Sequence, residues 1–234
     1  MKGKLYLIPT TLGDIEPTAT IPAQVKEVAN SISEYIVEDE KWARRYLKKL
    51  EIKTPLNDLI LHPLNKHTNP NDINSYLQNI YNGTNIGVIS EAGCPGVADP
   101  GAEVVKLAHT KGIEVIPLVG PSSILLSLMA SGFNGQNFAF NGYLPIQQDE
   151  RHKKIQLLEK QIYQFDQTQL FIETPFRNDK LVQDILKVCK GSTKLCIAVD
   201  LTISTESVQT KTIAEWLVKV PLLNKRPTIF LLYK

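Results

Sequence analysis

A chain of 234 residues with 43% apolar content has room for one large domain or two small ones. Its net charge of +2, from 26 basic and 24 acidic residues, excludes a polycationic nucleic-acid binder, so any RNA contact must come from a local patch. No apolar run is long enough for a membrane span and the N-terminus turns polar too soon for a signal peptide; the cysteines (Cys94, Cys189, Cys196) make neither a CxxC nor a disulfide framework. Cytoplasm is the simplest location.

Lys4 to Ile8 reads as a buried strand ending at Pro9-Thr-Thr-Leu-Gly13. Thr20 and Pro22 open a helix with Val25, Val28, Ala29 and Ile32 on one face. Glu34 to Val37 is a second strand, closed by Glu38-Asp39-Glu40. A basic helix follows, with Trp42, Tyr46, Leu47 and Leu50 at helical spacing and Arg44, Arg45, Lys48 and Lys49 between them. Leu59 to Leu61 suggests a third strand. Asn69-Pro70 starts a helix carrying Ile73, Leu77 and Ile80 and stopped by Gly83. Ile86 to Ile89 is an apolar strand, Glu103 to Lys111 an amphipathic helix ended by Gly112, and Ile113 to Leu118 another strand. Strands and helices alternate, the pattern of a parallel sheet covered by helices.

Beyond Gly120-Pro121 the character changes. Ser122 to Ser131 is nearly all apolar and is expected to be buried beneath a second sheet. Asn137 to Leu144 is strand-like, and Arg151 to Phe165 is amphipathic with Ile155, Leu158, Ile162 and Phe165 on one side. Leu170 to Glu173 and Lys194 to Leu201 read as strands flanking a helix over Asp179 to Val188. Polar Ser204 to Lys211 is an edge strand or a loop. Thr212-Ile-Ala-Glu215 fits a capping box opening a last helix, and Thr228 to Tyr233 is a closing strand. The expectation is an α/β chain of two α/β domains: residues 1–118 with a mostly parallel sheet and 119–234 with a mixed one.

The densest signal lies in Val88-Ile-Ser-Glu-Ala-Gly-Cys-Pro-Gly-Val-Ala-Asp-Pro-Gly101. Gly93, Gly96, Gly101, Pro95 and Pro100 stand between a strand and a helix. Glycine admits positive φ and close backbone approach, while proline fixes φ and removes a donor. Such a connector holds an open, rigid backbone at the carboxyl end of a strand, where open α/β sheets bind ligands.

Other signatures fail. No GxGxxG, GxxxxGK[ST], GxSxG or HExxH occurs. His62 and His67 have no acidic companion at metal spacing and read as solvated loop histidines, so no metal is expected. Cys94 has no base nearby in sequence and reads as a small filler. Glu38, Asp39 and Glu40 could be catalytic carboxylates or could complement a helix dipole, and the residues leave both open.

Several stretches together resemble the tetrapyrrole methylase superfamily: Leu7-Ile-Pro-Thr-Thr-Leu-Gly-Asp14, Val37-Glu-Asp-Glu-Lys-Trp-Ala-Arg-Arg-Tyr-Leu47, Ser90 to Gly101, Pro117-Leu-Val-Gly-Pro-Ser-Ser123 with Ala130-Ser-Gly132, Gly142-Tyr-Leu-Pro145, and Phe171-Ile-Glu-Thr-Pro-Phe-Arg177. The nearest branch methylates a cytidine ribose 2′-hydroxyl of 16S ribosomal RNA. The resemblance implies two α/β domains of the tetrapyrrole methylase type with S-adenosylmethionine (SAM) in the cleft between them, usually in a homodimer. By position it places cofactor contacts at Pro9, at Ser90, Glu91, Ala92 and Gly93, at Val97 and Ala98, at Ser122 and Ser123, and at Ile172 and Thr174.

Within the matched motifs, Glu38, Asp39 and Glu173 are the candidate carboxylates, with Asp39 preferred because the family motif is also acidic there. Arg44, Arg45, Arg151, Lys153, Lys154 and Arg177 are the candidate phosphate contacts for a ribosomal RNA or small-subunit substrate. The branch's Arg-Glu-Leu-Thr-Lys stretch is replaced by Val199-Asp-Leu-Thr-Ile203, and its usual C-terminal extension is expected to be missing. The function implied is ribose 2′-O-methylation of ribosomal RNA. Methylation of a tetrapyrrole or other small metabolite is the alternative, and a non-catalytic SAM-binding module a second.

Overall fold

Five short apolar strands, Leu5–Ile8 (β1), Glu34–Val37 (β2), Ile60–Pro63 (β3), Ile86–Ile89 (β4) and Val115–Pro117 (β5), pair in parallel in the order β3-β2-β4-β1-β5. Every residue of β2 and β4 is buried, as in parallel strands covered on both faces. Successive side chains point to opposite faces. Tyr35 and Val37 thus enter a core with Val25, Ala29 and Leu47, while Ile36 joins Ile80, Val104 and Ala108 on the other side. Those layers come from Ala23–Ala29 (α1), Glu40–Lys49 (α2), Pro70–Tyr76 (α3) and Gly101–Thr110 (α4). Gly87 makes room for the fully buried Tyr35 ring: a Cβ there would stand 2.6 Å from Tyr35 Cδ1.

This computed structural model describes residues 2–65 and 67–234. It divides into two compact units, Met1–Ser122 and Ser123–Lys234. The second holds Ser123–Ser131 (α5), Phe138–Tyr143 (β6), Gln148–Phe165 (α6), Thr168–Ile172 (β7), Asn178–Val188 (α7), Lys194–Val199 (β8), Ser207–Thr212 (β9), Ile213–Val218 (α8) and Thr228–Tyr233 (β10). Its sheet runs β6-β7-β10-β8-β9, with β6 and β7 parallel and the other pairs antiparallel. The apolar final strand takes the centre, and its Phe230 stacks on Phe171 of β7 at 5.9 Å. Thr212 and Glu215 form the full capping box of α8.

Four expectations need correction. The apolar α5 is not buried all round: Ser127, Leu128 and Ser131 face the sheet, while Leu125 is 52% and Met129 78% exposed. Small serines suit close packing because each hydroxyl bonds back to its own helix, Ser127 to the Ile124 carbonyl and Ser131 to that of Leu128. Phe165, at the end of α6, is exposed where Asp166 turns left-handed. The helix from Pro70 breaks at Leu77 into a 3-10 turn over Gln78–Asn82, which Gly83 ends at φ 91°. His62 is not a loop residue. It sits on β3, stacks on Tyr76 and lies 2.7 Å from the buried Glu34 carboxylate.

Candidate functional site

All strands of the first sheet are parallel, so the carboxyl ends of β1, β2, β4 and β5 share one edge, where ligands of such sheets bind. The chain leaves β4 at Ile89 and enters α4 only at Gly101. In between, Gly93 (φ 75°) and Gly96 (φ 82°) take left-handed backbone, and so does Ala98 (φ 60°), which lacks glycine's freedom there. Asp99 holds the loop in shape. Its carboxylate accepts the Gly96 N–H at 2.8 and 2.9 Å and the Gly101 N–H at 2.7 Å.

Neighbouring turns lock onto this loop. The Thr10 N–H donates to the Gly93 carbonyl at 2.9 Å, and the Thr10 hydroxyl to that of Ser90 at 3.3 Å. The buried Ser90 hydroxyl faces the Ala92 and Gly93 carbonyls at 3.4 Å. Pro9, after β1, receives the buried Tyr46 hydroxyl on its carbonyl at 2.7 Å. On the β5 side, the Cys94 thiol points at the Pro121 carbonyl, 3.4 Å away. Pro9, Ser90 and Gly93 are buried, while Glu91, Ala92, Val97 and Ala98 are exposed. The structure therefore gathers Pro9, Ser90 to Gly93, Val97 and Ala98 on one loop system, and Ser122 ends the unit that carries it.

The acids at the end of β2 separate. Half-buried Glu38 accepts the Glu91 N–H at 3.4 Å. Its carboxyl is held above the usual carboxylate range, mainly by burial and also by the charges of Asp99 and Glu91, against the lowering hydrogen bond. Asp39 is exposed and caps α2, accepting the Trp42 N–H at 2.6 Å. Asp99 is likewise raised by burial, opposed by the Gly96 and Gly101 N–H groups. Burial, then Asp99, pushes the Cys94 thiol up, which leaves it a poor nucleophile.

Beside the loop a cavity of about 550 Å³ opens between α2 and the Thr11-to-Asp14 turn, bordered by Trp42, Arg45, Tyr46, Lys48, Lys49 and Glu91. Arg45 lines it, but Arg44 does not: its guanidinium donates to the Leu56 carbonyl.

The second unit holds the remaining candidates. Ser123 is the first residue of α5. Ile172 ends β7, with Glu173 and Thr174 following. Glu173 is 6% exposed and accepts the Thr174 N–H at 2.6 Å and the Arg177 guanidinium at 2.5 Å, so these two charges neutralise each other. Lys153 is exposed and Lys154 partly so. Arg151 must be corrected as a phosphate contact. It is 4% exposed, its Nε and Nη2 bind Asp184 at 2.8 and 2.5 Å, and Nη1 bonds the Pro145 and Ile146 carbonyls.

No family model matches the chain. Ribosomal RNA small subunit methyltransferase I of Bacillus subtilis is 32% identical over 213 residues, 91% of this chain and 68% of that protein. Its namesake in Vibrio cholerae is 30% identical over 211 residues, 90% of this chain and 69% of that protein. This chain belongs to that methyltransferase family. Among solved structures, the methyltransferase CobJ matches 99% of the chain and 94% of its own with a TM-score of 0.66 at 15% identity. Uroporphyrin-III-C-methyltransferase from Thermus thermophilus matches 100% and 93% at 0.59 and 17%. The fold is that of the tetrapyrrole methylases, as the sequence motifs imply. The methyltransferase shows no helix long and apolar enough to cross a membrane among the described residues. Sequence reading missed Asp99 and Tyr46 as residues that fix the loops. For Asp99 the signal was there: a carboxylate between two glycines at a helix start.

Proposed function

We propose that this chain transfers a methyl group from SAM to a ribose 2′-hydroxyl of small-subunit ribosomal RNA. The single observation that supports it most is the Asp99-braced loop at the carboxyl edge of the parallel sheet, in a chain whose 30–32% relatives carry the name of ribosomal RNA methyltransferases.

The loop's chemistry suits that cofactor. No Lys or Arg lies between Ile86 and Ala102, while Glu91 and Asp99 lie within that span. Carbonyls and carboxylates favour a cationic donor. SAM would supply an electrophilic methyl on a sulfonium, a group that carries its own leaving group. What remains for the protein is to position, to exclude water and to take one proton. Pro9, Ser90 to Gly93, Val97 and Ala98 would hold the donor, with Ser122, Ser123, Ile172 and Thr174 as further contacts by family position. A ribose hydroxyl is a poor nucleophile and needs a group to accept its proton. Glu38 is the better base, since Asp39 is occupied as a cap and Glu173 as the partner of Arg177. The homodimer belongs to the same proposal.

The test is incubation of the purified chain with small ribosomal subunits and methyl-labelled SAM, followed by nucleoside analysis. A labelled 2′-O-methylnucleoside is expected. Label on a base, or on a porphyrin precursor in a parallel assay with RNA unlabelled, would reject the reading.

A further inference from the structure

The cavity beside the loop is built from one stripe of α2. Trp42, Arg45 and Lys48/Lys49 recur three or four residues apart and therefore share a face. Trp42 stacks on the buried Tyr46 with ring centroids 5.6 Å apart and planes 12° apart, so the indole is held in one orientation while it remains partly exposed. Lys49 is paired with Asp14. Arg45 and Lys48 have no ion pair among the described residues, and Glu91 is the other acid on the wall. Three cations against two carboxylates leave the lining one positive charge in excess. The cations follow Trp42 toward the far end of the helix, Arg45 about 4.5 Å and Lys48 and Lys49 about 9 to 10.5 Å along its axis.

A fixed, partly exposed indole followed by unpaired cations is how proteins hold single strands, with a base on the ring and phosphates on the charges. We propose that this groove holds unpaired RNA, one base stacked against Trp42 and the backbone running past Arg45 and Lys48. The proposal rests on the RNA reading above and extends it: the substrate enters as a single-stranded segment, gripped by α2 before its ribose reaches the Glu38 end. The acid-rich loop and the basic stripe then divide the labour, cationic donor on one and anionic acceptor on the other.

Binding of a single-stranded decauridylate tests this. The chain has two tryptophans, and Trp216 is 3% exposed with its indole N–H bonded to the Leu195 carbonyl. Quenching of tryptophan emission by the oligonucleotide therefore reports Trp42. We expect quenching in the wild type and, by fluorescence anisotropy of an end-labelled decauridylate, which needs no tryptophan, an affinity about tenfold or more weaker in Trp42→Ala with most of it kept in Trp42→Phe. Lys48→Gln, on the exposed helix surface, should lower the salt dependence by about 0.7 in log–log slope. Unfolding midpoints and SAM titrations of the same variants separate a local effect from a folding defect. Wild-type oligonucleotide affinity in both Trp42→Ala and Lys48→Gln would overturn the groove, even if ribosomal subunits are methylated. Quenching by a carboxylated porphyrin with none by decauridylate would overturn it as well, in favour of a small anionic ligand.

Discussion

Gly120 presses its α-carbon against the ring of Pro9: a Cβ on the glycine would stand 2.1 Å from the proline Cβ and 2.4 Å from its Cγ. The turn after β5 and the turn after β1 can approach this closely only because position 120 has no side chain. Proline's ring cannot rotate away, so one of the two backbones must move.

Gly120→Ala should therefore destabilise the chain by about 1–3 kcal/mol through overpacking. It should also weaken SAM binding by shifting Pro9. Gly93→Val should do the same, because φ is 75° and its new Cβ would meet Leu12 Cδ2 at 3.1 Å and the Pro121 carbonyl at 3.2 Å. Denaturant unfolding and titration calorimetry read the two effects. Unchanged SAM affinity in Gly93→Val would remove this loop from the cofactor site.

Glu38 gives a pH signature. A general base acts deprotonated, so the rate should climb as pH rises through its titration and then level off. Because burial and its acidic neighbours hold Glu38 above the ordinary carboxylate range, that climb should lie above the range expected of an exposed glutamate. Glu38→Gln should lose the climb and about 10²- to 10⁴-fold of turnover. A Glu38→Gln enzyme with the full wild-type pH profile would remove Glu38 as the base.

For Asp39, cap and base predict different things. Asparagine caps as well as aspartate, whereas alanine loses about 1 kcal/mol. Given the 2.6 Å bond from the Trp42 N–H, we expect Asp39→Asn to match the wild type in stability and Asp39→Ala to fall below both, as followed by chemical denaturation. If Asp39→Asn keeps its stability yet loses turnover as deeply as Glu38→Gln, the proton goes to Asp39 instead.

Much of this was legible because hydrophobic runs decide where strands lie. Residues 35–37 and Ile86–Ile89 are continuous apolar runs, and the Thr212/Glu215 box names its own helix start. The differences at α5 and Arg151 share a cause: residue type alone does not fix a side chain's environment. An apolar α5 was expected to be enclosed, yet a short helix on one face of a sheet leaves its other side out. Arginine was expected at the surface, yet Arg151 lies four residues before Ile155 and continues the buried stripe Ile155, Leu158, Ile162. Spacing was the better guide. His62 could not be paired with Glu34 from sequence, since β-ladder register brings residues 28 apart together only after folding.

The Arg151–Asp184 pair carries the last prediction. Both side chains are about 5% exposed. Burial alone would raise the Asp184 carboxyl, but hydrogen bonds from His152, Arg151 and Gln148, with the Arg151 charge, outweigh it and hold the group below its usual range. A carboxylate with a depressed folded pKa contributes stability that is fully present above its unfolded value, about 3.9, and is lost as pH falls through the folded value. The chain should therefore lose this contribution only below about pH 4. Asp184→Ala should lose it at every pH and more, since Arg151 would be left as a buried, uncompensated cation at a cost of about 3–5 kcal/mol. The double variant Arg151→Met/Asp184→Leu removes both charges and should recover most of that loss. Unfolding measured at pH 7 and pH 3.5 checks each arm: the gap between wild type and Asp184→Ala should narrow at the lower pH. An Asp184→Ala chain as stable as the wild type at pH 7 would mean that Arg151 finds water instead, and would reopen it as a phosphate ligand.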